Sequence, residues 1–297
     1  MIPFEFVFER PSAPKEAFEL WNKVAEAGQT PLYFSGGTEI VTAMRKGSVK
    51  ADVVIDLKGI EAYTAHGVGL SPLNKDTLWL GGGLSLNALS DKLPGSLLQA
   101  VASGIADHTV RNTLTLGGNL CGRLPYREMA LALLTLSADA VLYTSEGLVR
   151  QPLHEAFHKR LQLRAGELLL GFELAPSAVS SVDDVDGQAT RFFRRRRQKH
   201  TEIDYPICHV VVTRRGDAYK AAVGGVSAYV WYGEKTAAAI QADATPEEQA
   251  MVVWQRLEEL AVDDLRASKA YKLGLLKRDL VEAFTVLGKT EEAGEAR

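Results

Sequence analysis

The chain has little cysteine: Cys121 and Cys208 are the only two in 297 residues. An iron–sulfur cluster normally takes four thiolates, so any cluster must belong to a partner. In a reducing compartment two free thiols are expected rather than a disulfide. Long apolar runs are also lacking, and nothing approaches the roughly 18 uninterrupted residues of a membrane span. The start, MIPFEFVFERPSAPKEAF, has no basic segment, apolar run and cleavage site of a signal peptide, so a cytoplasmic location is expected. Basic excess is absent: 34 Lys and Arg face 37 Asp and Glu, a net charge of -3, which offers no general attraction to nucleic acid or anionic membranes. No G-x-G-x-x-G follows a strand and no G-x-x-x-x-G-K-[ST] occurs, which removes the Rossmann and Walker phosphate sites. The six histidines show no metal spacing apart from His154 and His158, at i, i+4 in a helix-like stretch.

What remains is an ordinary globular composition, 46% hydrophobic and 24% charged, enough for one large or two moderate domains. Phe4 to Phe8 alternates as a strand. Pro14 to Ala27 puts Phe18, Trp21, Val24 and Ala25 on one helical face, with Ser12 as cap and Gly28 as stop. Leu32 to Ser35 is a second strand, a helix runs to Arg45, and Ala51 to Leu57 is a third strand. This β-α-β-α-β order predicts a parallel sheet. Further on, Leu78 to Leu80, Ala140 to Tyr143 and Leu168 to Leu174 read as strands. Leu84 to Leu89, Leu97 to Ile105 and Met129 to Leu136 read as helices. Ser177 to Gln188 has no period and marks a domain boundary. Beyond it come two neighbouring strands, Ile207 to Thr213 and Tyr219 to Val223, then helices at Pro246 to Leu260 and Ala267 to Leu287.

The segment Tyr33-Phe34-Ser35-Gly36-Gly37-Thr38-Glu39-Ile40 carries the most chemistry. A strand ending in two glycines and turning into a helix exposes bare N–H groups beside the positive end of the helix dipole, a setting for phosphate or pyrophosphate. Thr115-Leu116-Gly117-Gly118-Asn119-Leu120 repeats the pattern. Two such loops converging would grip both phosphates of a dinucleotide; one pair alone is more often a tight turn or helix cap, and two with flanking Thr make the readings equal on spacing.

In these loops and the segments around them, the sequence resembles the FAD-binding medium subunits of the xanthine dehydrogenase and carbon monoxide dehydrogenase group of molybdenum hydroxylases. The resemblance runs from about Phe6 to Leu287 through SGGTEIVTAMRKG, LGGGLSLNAL, VRNTLTLGGNL, GELLLGFELAP, IDYPICHVVV, AAVGGVSA and RASKAYK. It implies an α+β fold: a two-subdomain FAD-binding domain of the PCMH and vanillyl-alcohol-oxidase type over 1–176, divided near 58 and 59, then an α+β domain over 189–288 and a tail at 289–297. It assigns Ser35, Gly36, Gly37, Thr38, Thr115, Gly117, Gly118 and Asn119 to the FAD pyrophosphate. Tyr33, Glu39, Ile40 and Ile105 fall at cleft-lining positions, with core packing the alternative for Ile40 and Ile105. Glu128 stands where the family usually has an Asp bonding the nucleotide half, the alternative being a solvated surface carboxylate. Leu169 matches a backbone contact near the flavin.

The family's lysine upstream of Asp204 is replaced by Arg195 or Arg196, the spacing leaving the choice open; the run Arg194 to Arg197 also reads as a solvated basic strand. An arginine is planar and permanently charged, so its effect on a flavin differs from that of a lysine. The implied role is electron transfer, from a partner's molybdenum centre through iron–sulfur clusters to FAD and on to an acceptor such as NAD. The molybdopterin and [2Fe-2S] groups would sit in the large and small partner subunits. The alternatives are an assembly or scaffold subunit without flavin and a free-standing flavoprotein oxidase. No residue need be catalytic, and no metal is expected on this chain.

Overall fold

A computed structural model describes residues 1–122, 124–179, 190–199 and 204–289. The first sheet uses β1 (Val7–Glu9), α1 (Pro14–Glu26), β2 (Pro31–Phe34), α2 (Thr38–Arg45) and β3 (Val53–Asp56). Its order is β1-β3-β2, all parallel, with the buried VVID strand in the middle, as the β-α-β-α-β pattern requires. Pairing begins only at Val7, because Phe4 and Phe6 pack edge-on to each other and onto the cluster of Met44 and Val54. Ser12 is not the cap of α1. Ala13 occupies that position, and Ser12 gives its N–H and hydroxyl to the Glu16 carboxylate. Gly28 ends the helix at φ 75°, a conformation glycine adopts without penalty.

A second sheet follows. Its elements are α3 (Glu61–Thr64), β4 (His66–Val68), β5 (Leu78–Gly81), α4 (Leu86–Lys92), α5 (Leu97–Ala102), α6 (His108–Arg111) and α7 (Leu116–Cys121). Then come α8 (Glu128–Thr135), β6 (Asp139–Thr144), β7 (Gly147–Pro152), α9 (Leu153–Ala156), the small hairpin β8 (Phe157–His158) and β9 (Arg160–Leu161), and β10 (Leu168–Leu174). The order is β4-β5-β10-β6-β7, antiparallel throughout. Central β10 is buried along its whole length. Helices α4 to α7 each start on a side-chain cap, from Ser85, Ser96, Asp107 and Thr115. His154 and His158 do not share a helix: α9 stops at Ala156, His158 lies in β8, and His154 Nε2 faces Glu234 at 3.0 Å.

The third sheet contains β11 (Arg191–Arg197), β12 (Cys208–Arg215), β13 (Ala218–Gly224) and β14 (Trp231–Tyr232), followed by α10 (Glu234–Ala237), α11 (Pro246–Glu258) and α12 (Lys269–Gly288). The strands run antiparallel in chain order. Period-two alternation divides β12: Cys208, Val210 and Val212 join the core under α11 and α12, whereas Val211 joins the core of the second sheet and Thr213 bonds the Thr135 carbonyl of α8. Helix α8, EMALALLT, is buried at all eight positions, apolar from Met129 to Leu134, and sits between the second and third sheets. Each large side chain it buries contributes about 1.5–3 kcal/mol.

The expected boundary at Ser177 to Gln188 lies outside the described residues from 180 onward, as do His200 and the tail from 290. Both cysteines are free thiols. Among the described residues, no helix is long and apolar enough to cross a membrane, and no group of His, Cys, Asp and Glu could hold a metal ion.

Candidate functional site

The two glycine loops meet. Ser35 Oγ and Thr115 Oγ1 are hydrogen-bonded at 3.0 Å, and Thr38 Oγ1 and Thr113 Oγ1 at 3.3 Å. The approach is so close that a Cβ on Gly36 would lie 1.7 Å from the Thr113 carbonyl oxygen. Gly37 sits at φ 77° as N-cap of α2, and this helix has no side-chain cap. Among the described residues, the N–H groups of Gly36 and Gly37 have no acceptor. The loop therefore presents bare donors and a helix N-terminus, with the hydroxyls of Ser35, Thr38 and Thr115 beside them, while the Thr113 hydroxyl is spent on the Val110 carbonyl, a chemistry suited to an anion.

The second loop works differently from its sequence reading. Gly117 and Gly118 lie inside the first turn of α7, where the Gly117 N–H bonds the Gly82 carbonyl at 2.7 Å and the Gly118 N–H bonds the Thr115 hydroxyl at 3.2 Å. Gly117 is a contact residue: a Cβ there would come 2.9 Å from the Gly82 oxygen. The Asn119 side-chain oxygen accepts from the Met129 N–H at 3.0 Å, which ties α7 to α8 instead of facing a ligand. The triple glycine also acquires a role, since the Tyr63 ring lies where side chains on Gly82 and Gly83 would be. Burial pushes the Tyr63 hydroxyl far above the usual phenol range, with Ser35 beside it opposing the shift.

Several other candidate residues turn away from the loops. Tyr33 spends its hydroxyl on the Gly166 and Ala17 carbonyls, at 2.8 and 3.3 Å. Ile40 packs against the Met44 cluster, while Ile105 and Leu169 belong to the main core. Glu39 stays close, its carboxylate lying against Gly122 after α7.

Glu128 is neither a solvated surface group nor turned toward the loops. It is 4% exposed and bonds Arg196 through both oxygens, at 2.8 and 3.1 Å, and His209 Nδ1 at 2.7 Å. His209 Nε2 accepts from Arg194 Nε at 3.2 Å, so the proton belongs on Nδ1 and the ring is neutral. The basic run is thus a two-faced strand. Arg194 and Arg196 point toward α8, whereas Arg195 pairs with Glu282 and Arg197 with Asp279, both on α12. Of the two candidates, Arg195 lies on the face of β11 that meets α12 and Arg196 on the face that meets Glu128 of α8.

Burial alone would raise the Glu128 carboxyl, but the His209 hydrogen bond and the Arg196 charge outweigh it and hold the group below the usual carboxylate range. Burial lowers the His209 imidazole, despite the opposing pull of Glu128. Both folded-state values are depressed, so both groups contribute stability at neutral pH that is lost on acidification. The loss should begin as pH falls through the ordinary histidine range near 6.5 and deepen below the ordinary carboxylate range near 4.3. Urea midpoints measured from pH 7 to pH 4 should fall in wild type and fall less in His209→Leu; a flat wild-type profile contradicts this.

Three features escaped the sequence reading. Lys58 Nζ donates to the Ser35 carbonyl at 2.7 Å and to Asp56 Oδ1 at 2.5 Å, directly beneath the first loop. Arg111 holds the Ile105 and Ala106 carbonyls and Asn87, fixing the turn in which Ala106 has φ 50°. Tyr126 and Tyr205 stack at 4.1 Å, with the Arg266 guanidinium against both rings and bonded to the Tyr126 hydroxyl. Motifs containing Arg111 and Arg266 are visible in the sequence, but Arg266 meets Tyr126 from 140 positions away, and the Arg111 contacts to Asn87, Ile105 and Ala106 depend on the turn they fix.

This geometry accompanies clear likenesses to known proteins. Cu,Mo-CO dehydrogenase in its cyanide-inactivated form has a chain that superposes with a TM-score of 0.78 at 18% identity, covering 96% of this chain and 98% of that one. The carbon monoxide dehydrogenase from Hydrogenophaga pseudoflava that lacks the Mo-pyranopterin moiety gives 0.79 at 19%, covering 96% and 98%. Quinoline 2-oxidoreductase from Pseudomonas putida 86 gives 0.75 at 18%, covering 96% and 97%. At such identities these matches establish the fold. The family follows from the sequence profile described as the FAD binding domain in molybdopterin dehydrogenase, which matches residues 4–176, and with more than half its length matched the chain belongs to that family.

Proposed function

We propose that the chain is the FAD-carrying electron-transfer subunit of a molybdenum hydroxylase, with the FAD diphosphate seated on the first glycine loop. The observation that carries this reading is the loop itself: Gly36 and Gly37 N–H groups that have no acceptor among the described residues, at an uncapped helix N-terminus, beside Ser35, Thr38 and Thr115 hydroxyls. These residues fit a diphosphate. Thr115, Gly117 and Gly118 complete the site by holding α7 against it, Glu39 lies at its rim, and the ion pair of Glu128 on α8 with Arg196 on β11 ties that half to the third sheet. When bound, FAD supplies the redox chemistry; the chain binds it, orients it and shields it from water.

The partners follow from the family reading: an iron–sulfur subunit and a molybdenum subunit would deliver the electrons, and NAD or another acceptor would take them. The matched carbon monoxide and quinoline enzymes support this class of assembly. We assign the FAD-binding part to residues 1–176, divided near 58, and a separate supporting part to 189–288.

A flavin-free scaffold is the second reading, favoured by the internal use of the Gly117 and Gly118 N–H groups. Gly37→Asp separates the two. A Cβ there would meet the Phe34 ring at 2.5 Å, and the added carboxylate would repel a diphosphate. The purified wild-type chain should show flavin absorbance and the variant should lose it while keeping its far-ultraviolet circular dichroism. A colourless wild type, or a variant with normal flavin, sinks the proposal.

A further inference from the structure

We propose that Lys58 is a positioning residue for the cofactor: by holding the Ser35 carbonyl it fixes the Ser35–Gly36 peptide so that the Gly36 N–H faces the diphosphate. The inference rests on the FAD reading above. A trans peptide places its C=O and N–H on opposite sides, and no peptide bond among the described residues is cis. With the Ser35 oxygen pulled beneath the loop at 2.7 Å from Nζ, the Gly36 N–H is turned away from Lys58. A loop of two glycines has low barriers to reorienting its peptides, so without an anchor the ordering cost falls on ligand binding.

The anchor is itself built in. Asp56, 4% exposed, takes both the Lys58 backbone N–H at 3.1 Å and the ammonium at 2.5 Å on one oxygen. Its second oxygen faces Arg10 Nε at 3.7 Å. The ammonium also lies 4.5 Å from the centre of the Phe34 ring, the same ring that supports Gly37 from below. Lys58 thus has its donors directed to a carbonyl, a carboxylate and an aromatic face. It acts through the peptide, and not as a counter-ion touching phosphate.

These two roles predict opposite results for Asp56→Asn. If Lys58 were a direct counter-ion, weakening its partner would release the ammonium and tighten FAD binding. As a positioning residue, it loses its own anchor and binding weakens. Flavin-free full-length chain, titrated with FAD by flavin fluorescence, should bind about tenfold more weakly as Lys58→Met, the scale of one charge-assisted hydrogen bond. Lys58→Arg should recover most of that loss, because it restores a cationic donor, and Asp56→Asn should bind about threefold more weakly. Lys58→Met within about twofold of wild type, or Asp56→Asn binding more tightly, overturns the proposal. Asp56→Asn decides it alone if Lys58→Met does not fold. A wild-type chain that binds no FAD overturns the FAD reading itself, whereas normal wild-type binding with unaffected variants overturns only the role of Lys58.

Discussion

Gly36→Ala is expected to strip the chain of flavin and to destabilise it at the same time. The added methyl would lie 1.7 Å from the Thr113 carbonyl oxygen, 2.9 Å from its carbon and 3.3 Å from Thr115 Cγ2. Two of those atoms are backbone, so no rotamer change relieves the clash and the loops must separate. Separation breaks the Ser35–Thr115 and Thr38–Thr113 contacts, which join the first sheet to the turn before α7. Overpacking of this kind costs about 1–3 kcal/mol of folding stability. The effect on FAD should be larger, about a hundredfold or more, because donors displaced by an ångström lose their geometry. Gly274→Ala is the control: that site lies in α12 with nothing within 4 Å, so the change should be neutral or stabilising by up to about 1 kcal/mol. Flavin-to-protein ratios and urea midpoints of the two variants read both effects, and a Gly36→Ala protein that keeps its flavin contradicts the packing of the loops.

Glu128→Gln is expected to produce the largest loss of stability from an isosteric change. The carboxylate stands at the N-terminus of the buried helix α8 and neutralises Arg196, whose side chain is 6% exposed. Removing its charge leaves a buried guanidinium whose strong acceptor, among the described residues, is the Asp204 carbonyl at 2.7 Å. It also deprives His209 of the partner that fixes its tautomer. Breaking a buried ion pair from one side costs about 3–5 kcal/mol, whereas replacing both partners with apolar residues is often close to neutral. The double variant Glu128→Gln with Arg196→Met should therefore recover part of the loss. Additive losses in denaturant titrations would show that the pair is not coupled. Because the cluster joins α8 to β11 and β12, the single variant should also loosen the third sheet, seen as faster amide exchange in β11.

The fold was largely legible in the sequence because its first sheet is written in local signals. Apolar β3 and the glycines after β2 determine strand, turn and helix within a few residues of themselves. Spacing alone makes the second loop a twin of the first. In fact Gly117 is glycine because Gly82 lies against it, a contact 35 positions away that no local pattern encodes. Glu128 and the arginine run illustrate the same limit. Their residue types were correctly noted, but which carboxylate each arginine meets depends on strand alternation in β11 and on α12, some 80 residues further along. Lys58 went unremarked for a related reason: a lone lysine after a strand carries no signal until its ammonium is seen under the Ser35 carbonyl.

Recognition of a diphosphate by the first loop is read out by a competition titration. Flavin-free chain is titrated with FAD in the presence and absence of ADP, and separately with riboflavin. The loop geometry requires that ADP displace FAD and that riboflavin, which has no phosphate, bind at least about a hundredfold more weakly. Riboflavin binding as tightly as FAD, with ADP making no difference, would mean that the two touching turns around Gly36 and Thr115 hold no phosphate at all.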